Sequence, residues 1–93
     1  MLESKKRASR VLEILESHIV STQEDHSKWQ CGITSDPEGT RRELKRFGSD
    51  WISEDAGTEL DARHIEVLLR RNGCHGVPHL GGAGAHYVFA CLA

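Results

Sequence analysis

Apolar residues return every third or fourth position between Ser4 and Thr22, at Ala8, Val11, Leu12, Leu15 and Ile19, while lysine, arginine and glutamate hold most of the positions between them. That period predicts an amphipathic first helix with one face turned to a core. Beyond the polar stretch Ser21 to Ser27, Trp29, Cys31 and Ile33 alternate with Gln30 and Gly32, the two-residue period of a first strand. Asp36 followed by Pro37 predicts a helix start, since the carboxylate accepts from free backbone amides and proline suits the first helical position. This second helix is expected to run to about Phe47, with Gly48 placed to end it and a short strand at Trp51 to Ser53. Thr58 and Asp61 stand at capping-box spacing and open a third helix, whose inward face carries Ala62, Ile65, Leu68 and Leu69 and whose end falls at Asn72 and Gly73. The glycine-rich stretch Cys74 to Ala85, which contains Pro78, reads as an irregular connection. In the last segment Tyr87, Phe89 and Cys91 point one way and Val88, Ala90 and Leu92 the other. Both sets are apolar, as in a strand covered on both faces.

The order α-β-α-β-α-β predicts an α+β fold packed by helices, and a last strand apolar on both faces belongs in the centre of its sheet, between the strands at Trp29 to Ile33 and Trp51 to Ser53. The 93 residues (1–93) are the length of one domain. The longest apolar runs, such as Tyr87 to Ala93, are far shorter than a bilayer span, and the charged start Met1 to Arg10 lacks the apolar core of a signal peptide. A cytoplasmic protein with no membrane partner is expected. Cys31, Cys74 and Cys91 are odd in number and form no C-x-x-C pair, which predicts free thiols. The net charge of -2 gives no overall attraction to nucleic acid, but positive charge clusters at Lys5, Lys6, Arg7 and Arg10, at Arg41, Arg42, Lys45 and Arg46, and at Arg70 and Arg71.

The run Gln30-Cys31-Gly32-Ile33-Thr34, followed by Asp36, Arg41 and Arg42, resembles the second half of the GIY-YIG nuclease signature, and the match extends over roughly Trp29 to Asn72. In that family a strand ending in aromatic-x-Gly-x-Thr leads to a helix with an essential arginine, then to a short strand and a helix bearing a metal-binding glutamate. The first strand of the family has no counterpart before Trp29, and His86-Tyr87-Val88-Phe89 can fill its place, so the resemblance implies a circularly rearranged or degenerate relative: a small three-stranded antiparallel sheet whose central strand is the C-terminal one. The chain is also similar to small bacterial and phage-type domains with a Gly-Ile-Thr-x-Asp-Pro segment, a Trp-Ile strand and a glycine-rich loop before a Tyr-containing end.

The resemblance implies a metal-dependent nucleic-acid-binding or phosphodiester-cleaving site. Its parts are Arg42 for the phosphate, with Arg41 as the alternate; Glu66 for a magnesium or manganese ion; and Tyr87 in place of the family's tyrosine. Two positions speak for a different class, a non-catalytic protein-interaction or regulatory module on the same scaffold. Gln30 stands where the family has its second tyrosine and cannot act as a general base, and Arg46 stands where many relatives carry a histidine. Such a module would bind a protein partner through the basic first helix, Lys5 to Arg10, or through an exposed sheet edge. His75 and His79 have finger-like spacing, but no cysteine pair precedes them, so the loop reads as solvated, and Gly81, Gly82 and Gly84 read as the turn into the last strand. Trp29 and Trp51 read as core anchors, and Cys31, Cys74 and Cys91, which show no nucleophile constellation, read as buried or inert thiols.

Overall fold

A computed structural model of the chain describes residues 2–44, 50–77 and 84–92, with side chains from residue 7 onward. The first helix, α1, spans Leu2–Ser21. A single 3-10 turn at His26–Lys28 leads into β1, Trp29–Thr34. Then follow α2 (Pro37–Glu43), β2 (Trp51–Asp55), α3 (Glu59–Arg71), β3 (His75–Gly76) and β4 (Tyr87–Leu92). Among the described residues no helix is long and apolar enough to cross a membrane.

The helix starts follow the local chemistry read from the sequence. Asp36 caps α2 by accepting from the Gly39 amide at 3.1 Å, and Thr58 caps α3 by accepting from the Asp61 amide at 3.1 Å. Asn72 ends α3, and Gly73 follows at φ +118°, a backbone region open to glycine, where any side chain would also press on the His26 Cβ at 3.1 Å. The second helix is shorter than expected and stops at Glu43; the proposed stop at Gly48 lies outside the described residues.

Among the described residues four strands form one sheet in the order β2-β4-β1-β3. The C-terminal strand lies between β1 and β2 and is antiparallel to both, in the expected central place. The expected three-stranded antiparallel sheet is corrected in one respect: β3, within the stretch read as irregular, adds a fourth strand parallel to β1 and makes the sheet mixed. This strand has two residues and no alternation of its own. It forms because the end of α3 returns the chain beside β1, the Cys74 amide donating to the Leu69 carbonyl at 3.1 Å and the Val77 amide to the Cys31 carbonyl at 2.9 Å.

Strand register sorts the side chains onto two faces. Trp29 opposite Leu92, Cys31 opposite Ala90, Ile33 opposite Val88 and Ile52 opposite Ala90 make up one face. Against it pack Val11, Leu15 and Ile19 of α1 and Ala62, Ile65 and Leu69 of α3, forming the hydrophobic core. Leu15, Ile19, Ile65 and Leu69 are fully buried, each stabilising the fold by about 1.5–3 kcal/mol. The other face carries Gln30, Gly32 and Thr34 of β1, Tyr87, Phe89 and Cys91 of β4, and Trp51, Ser53 and Asp55 of β2. There α2 is held by a 2.6 Å hydrogen bond between the buried hydroxyls of Thr34 and Thr40.

Candidate functional site

Of the two neighbouring arginines of α2, Arg41 turns inward and Arg42 outward. The Arg41 guanidinium carbon lies 6.0 Å from the centre of the Trp51 ring, which stacks on Phe89 at 5.0 Å between centroids and 8° between planes. Arg42 is exposed in the last turn of the helix. A helix of 3.6 residues per turn separates adjacent side chains by about 100°, so only one of the two can face the sheet.

Tyr87 opens β4 on the face that α2 covers, with Thr34 and Asp55 as its cross-strand partners. Its ring meets that of His86 at 4.5 Å between centroids. His86 Nδ1 donates to Asp55 Oδ1 at 2.8 Å, and the same oxygen accepts from the Gly57 amide at 2.8 Å. The hydrogen bond from His86, and after it the one from the Gly57 amide, hold the Asp55 carboxyl below its ordinary range.

Glu66 lies on α3, which packs against the opposite face of the sheet. Its side chain is 19% exposed and faces the Arg70 guanidinium at 3.4 Å. The stem of Arg70 in turn covers Gly76, where an added Cβ would meet Cδ at 2.7 Å. The sheet therefore stands between Glu66 and Tyr87, while Arg42 shares Tyr87's side of it. Among the described residues no three histidine, cysteine, aspartate or glutamate side chains are grouped to hold a metal ion. The cysteine and histidines of the glycine-rich stretch also part company. His75 sits in register with Gln30 in β3, whereas His86 reaches Asp55 of β2, and His79 and Arg46 lie outside the described residues.

One cluster had no signal in the sequence, because its members come from α1, the turn before β1, β1 itself and the end of α3. Cys31 of β1 and Cys74, just after α3, are neighbouring thiols, and both are buried. Beside them His26 Nε2 donates to Glu16 Oε2 at 2.6 Å, and Asn72 Nδ2 donates to Glu16 Oε1 at 2.7 Å. The neighbouring Cys74 and burial both push the Cys31 thiol far up, while Cys31, with help from His26, brings Cys74 down against the cost of its burial.

Compared with protein-family models, curated proteins and solved structures, the chain finds no match.

Proposed function

We propose that this chain is a non-catalytic interaction module and that its partner is a protein. The observation that carries the reading is the sheet between Glu66 and Tyr87. Phosphodiester cleavage of the GIY-YIG kind needs a metal-holding carboxylate, a phosphate-binding arginine and a phenol around one scissile bond. A divalent cation takes several oxygen ligands, and Glu66 offers one carboxylate whose charge Arg70 already meets. The residues present do not fit magnesium or manganese.

Support for a protein partner comes from the open groove between α1 and α3, about 490 Å³ in volume, whose lining is mainly apolar (Ala8, Leu12, Leu60, Ile65 and Leu68) with Ser9, Asp61 and His64 among it. Leu60, on its rim, is 77% exposed. An apolar channel between two helices suits a partner helix with apolar residues one turn apart. The three free thiols support a reduced compartment such as the cytoplasm. A second reading, nucleic-acid binding without cleavage, is favoured by the outward-facing Arg42.

A cleavage and binding assay separates these readings. Purified protein with manganese is expected to leave single-stranded, double-stranded and branched DNA and RNA intact, and Glu66→Gln to behave as the parent does. Cutting that disappears in Glu66→Gln would overturn the module reading. Salt-sensitive binding of nucleic acid that weakens in Arg42→Ala would transfer the module from protein to nucleic acid.

A further inference from the structure

We infer that two copies of this chain pair through the groove between α1 and α3, their α3 helices running antiparallel about a two-fold axis at His64. The inference rests on the interaction-module reading and names the protein partner as a second copy of the chain. Leu60, His64 and Leu68 stand four residues apart along α3, so they form one row on its surface, each step advancing about 6 Å along the helix and about 40° around it. All three line the groove, together with Leu12 of α1 and Ile65 on α3 itself. Leu60 projects from the rim, 77% exposed, whereas Leu68 is half-buried. An axis at His64 maps the position of Leu60 onto that of Leu68. The projecting Leu60 of each copy then seats in the groove against the partner's Leu68 and Leu12, and the contact is made twice.

Two observations single out a second copy among protein partners. The first is shape: a two-fold contact needs the projecting residue and its socket on the same surface, and α3 carries both, Leu60 near its start and Leu68 beside the groove about two turns later. A foreign helix needs only the socket. The second is charge. Helix α3 is acidic in its first turn, with Glu59 and Asp61, and basic in its last, with Arg70 and Arg71. Antiparallel pairing lays the acidic start of each helix beside the basic end of the other. A helical side chain leans toward the N-terminus of its own helix, so Arg71 of one copy reaches back toward the partner's Asp61. A parallel pairing would set like charges together. The surface engaged, one helix row and one groove, is small beside that of permanent dimers, so the pair parts on dilution into folded monomers.

Sedimentation equilibrium of the full chain over a rising series of concentrations is the test. The average mass is expected to climb from the 10.4 kDa of one chain toward twice that value. Leu60→Glu is expected to stay at the mass of one chain throughout, with an unchanged far-ultraviolet circular dichroism spectrum, because Leu60 lies outside the core. Asp61→Arg and Arg71→Asp should each raise the concentration of half-association about tenfold, since two ion pairs are lost per dimer, and the double exchange should restore it. A chain that keeps the mass of one copy at every concentration would overturn the inference and leave the groove to another protein. A pair that persists in Leu60→Glu, or charge variants that do not rescue each other, would overturn it as well. The module reading fails on a different result, cutting of nucleic acid that disappears in Glu66→Gln, so the two are judged separately.

Discussion

Gly32 in β1 shows how one absent Cβ decides local packing. A methyl group there would come within 2.8 Å of Phe89 Cζ, and Phe89 is fully buried beneath the Trp51 ring, with little room to yield. Replacing a strand glycine by alanine favours the backbone by about 0.5–1 kcal/mol, whereas overpacking costs about 1–3 kcal/mol. Gly32→Ala is therefore expected to lower the urea midpoint, and an unchanged midpoint would show that the Phe89 ring swings aside. The arginines of α2 should differ in the same assay. Arg41→Ala removes a stem and a cation lying over Trp51 and should destabilise the fold, while Arg42→Ala should stay within about 0.5 kcal/mol of the parent. Asp55 supplies a pH-dependent case. Its carboxyl is held below the ordinary range, so the stability it contributes is present above the ordinary aspartate pKa and is lost as the pH falls through the lowered folded value. His86→Ala takes away the largest cause, and the Asp55 carboxyl titration followed by NMR should move upward; no movement would leave the Gly57 amide as the main partner.

At the scale of elements, α3 carries two kinds of leucine. Leu69 is fully buried in the core, and Leu69→Ala should cost about 2–5 kcal/mol. Leu60, on the rim of the groove, should cost no more than about 0.5 kcal/mol when changed to alanine. Chemical denaturation of both variants tests the division, and equal losses would mean that Leu60 is covered in solution. The N-terminus of the same helix depends on one hydroxyl, so Thr58→Ala should cost about 0.5–2 kcal/mol, read as the same shift in unfolding free energy. Helix α1 is joined to the rest at two histidine–carboxylate pairs, His18 with Asp50 before β2 and His26 with Glu16, each at 2.6 Å. These side-chain bonds add direction to a helix whose apolar stripe alone fixes only which way it faces.

For the whole molecule, the central strand should be the last part to open. β4 exchanges hydrogen bonds with β1 on one side and β2 on the other, and Val88, Phe89 and Ala90 are fully buried. Native-state hydrogen exchange should find the amides of these three residues among the slowest in the chain and those of the two-residue edge strand β3 much faster. If Val88 to Ala90 exchange at edge-strand rates, the sheet order is wrong. The two faces of this sheet also divide the candidate chemistry, since α3 with Glu66 covers one face while Tyr87 belongs to the other.

The sequence alone determined what short-range physics determines. Periods of 3.6 and 2 gave α1, α3, β1 and β4, cap residues at Asp36 and Thr58 gave the helix starts, and an apolar pattern on both sides of Tyr87 to Leu92 gave the central strand, because each depends on residues a few positions apart. Tertiary structure decided the rest. A two-residue strand such as β3 has no period to read and exists through its partner β1. The orientation of Arg41 against Arg42 followed from how α2 docks on Thr34 and Trp51. The meeting of Cys31 with Cys74, and of His26 with Glu16 and Asn72, required α1, β1 and the end of α3 to converge, and no spacing along the chain encodes a distance between segments that only the packed core brings together.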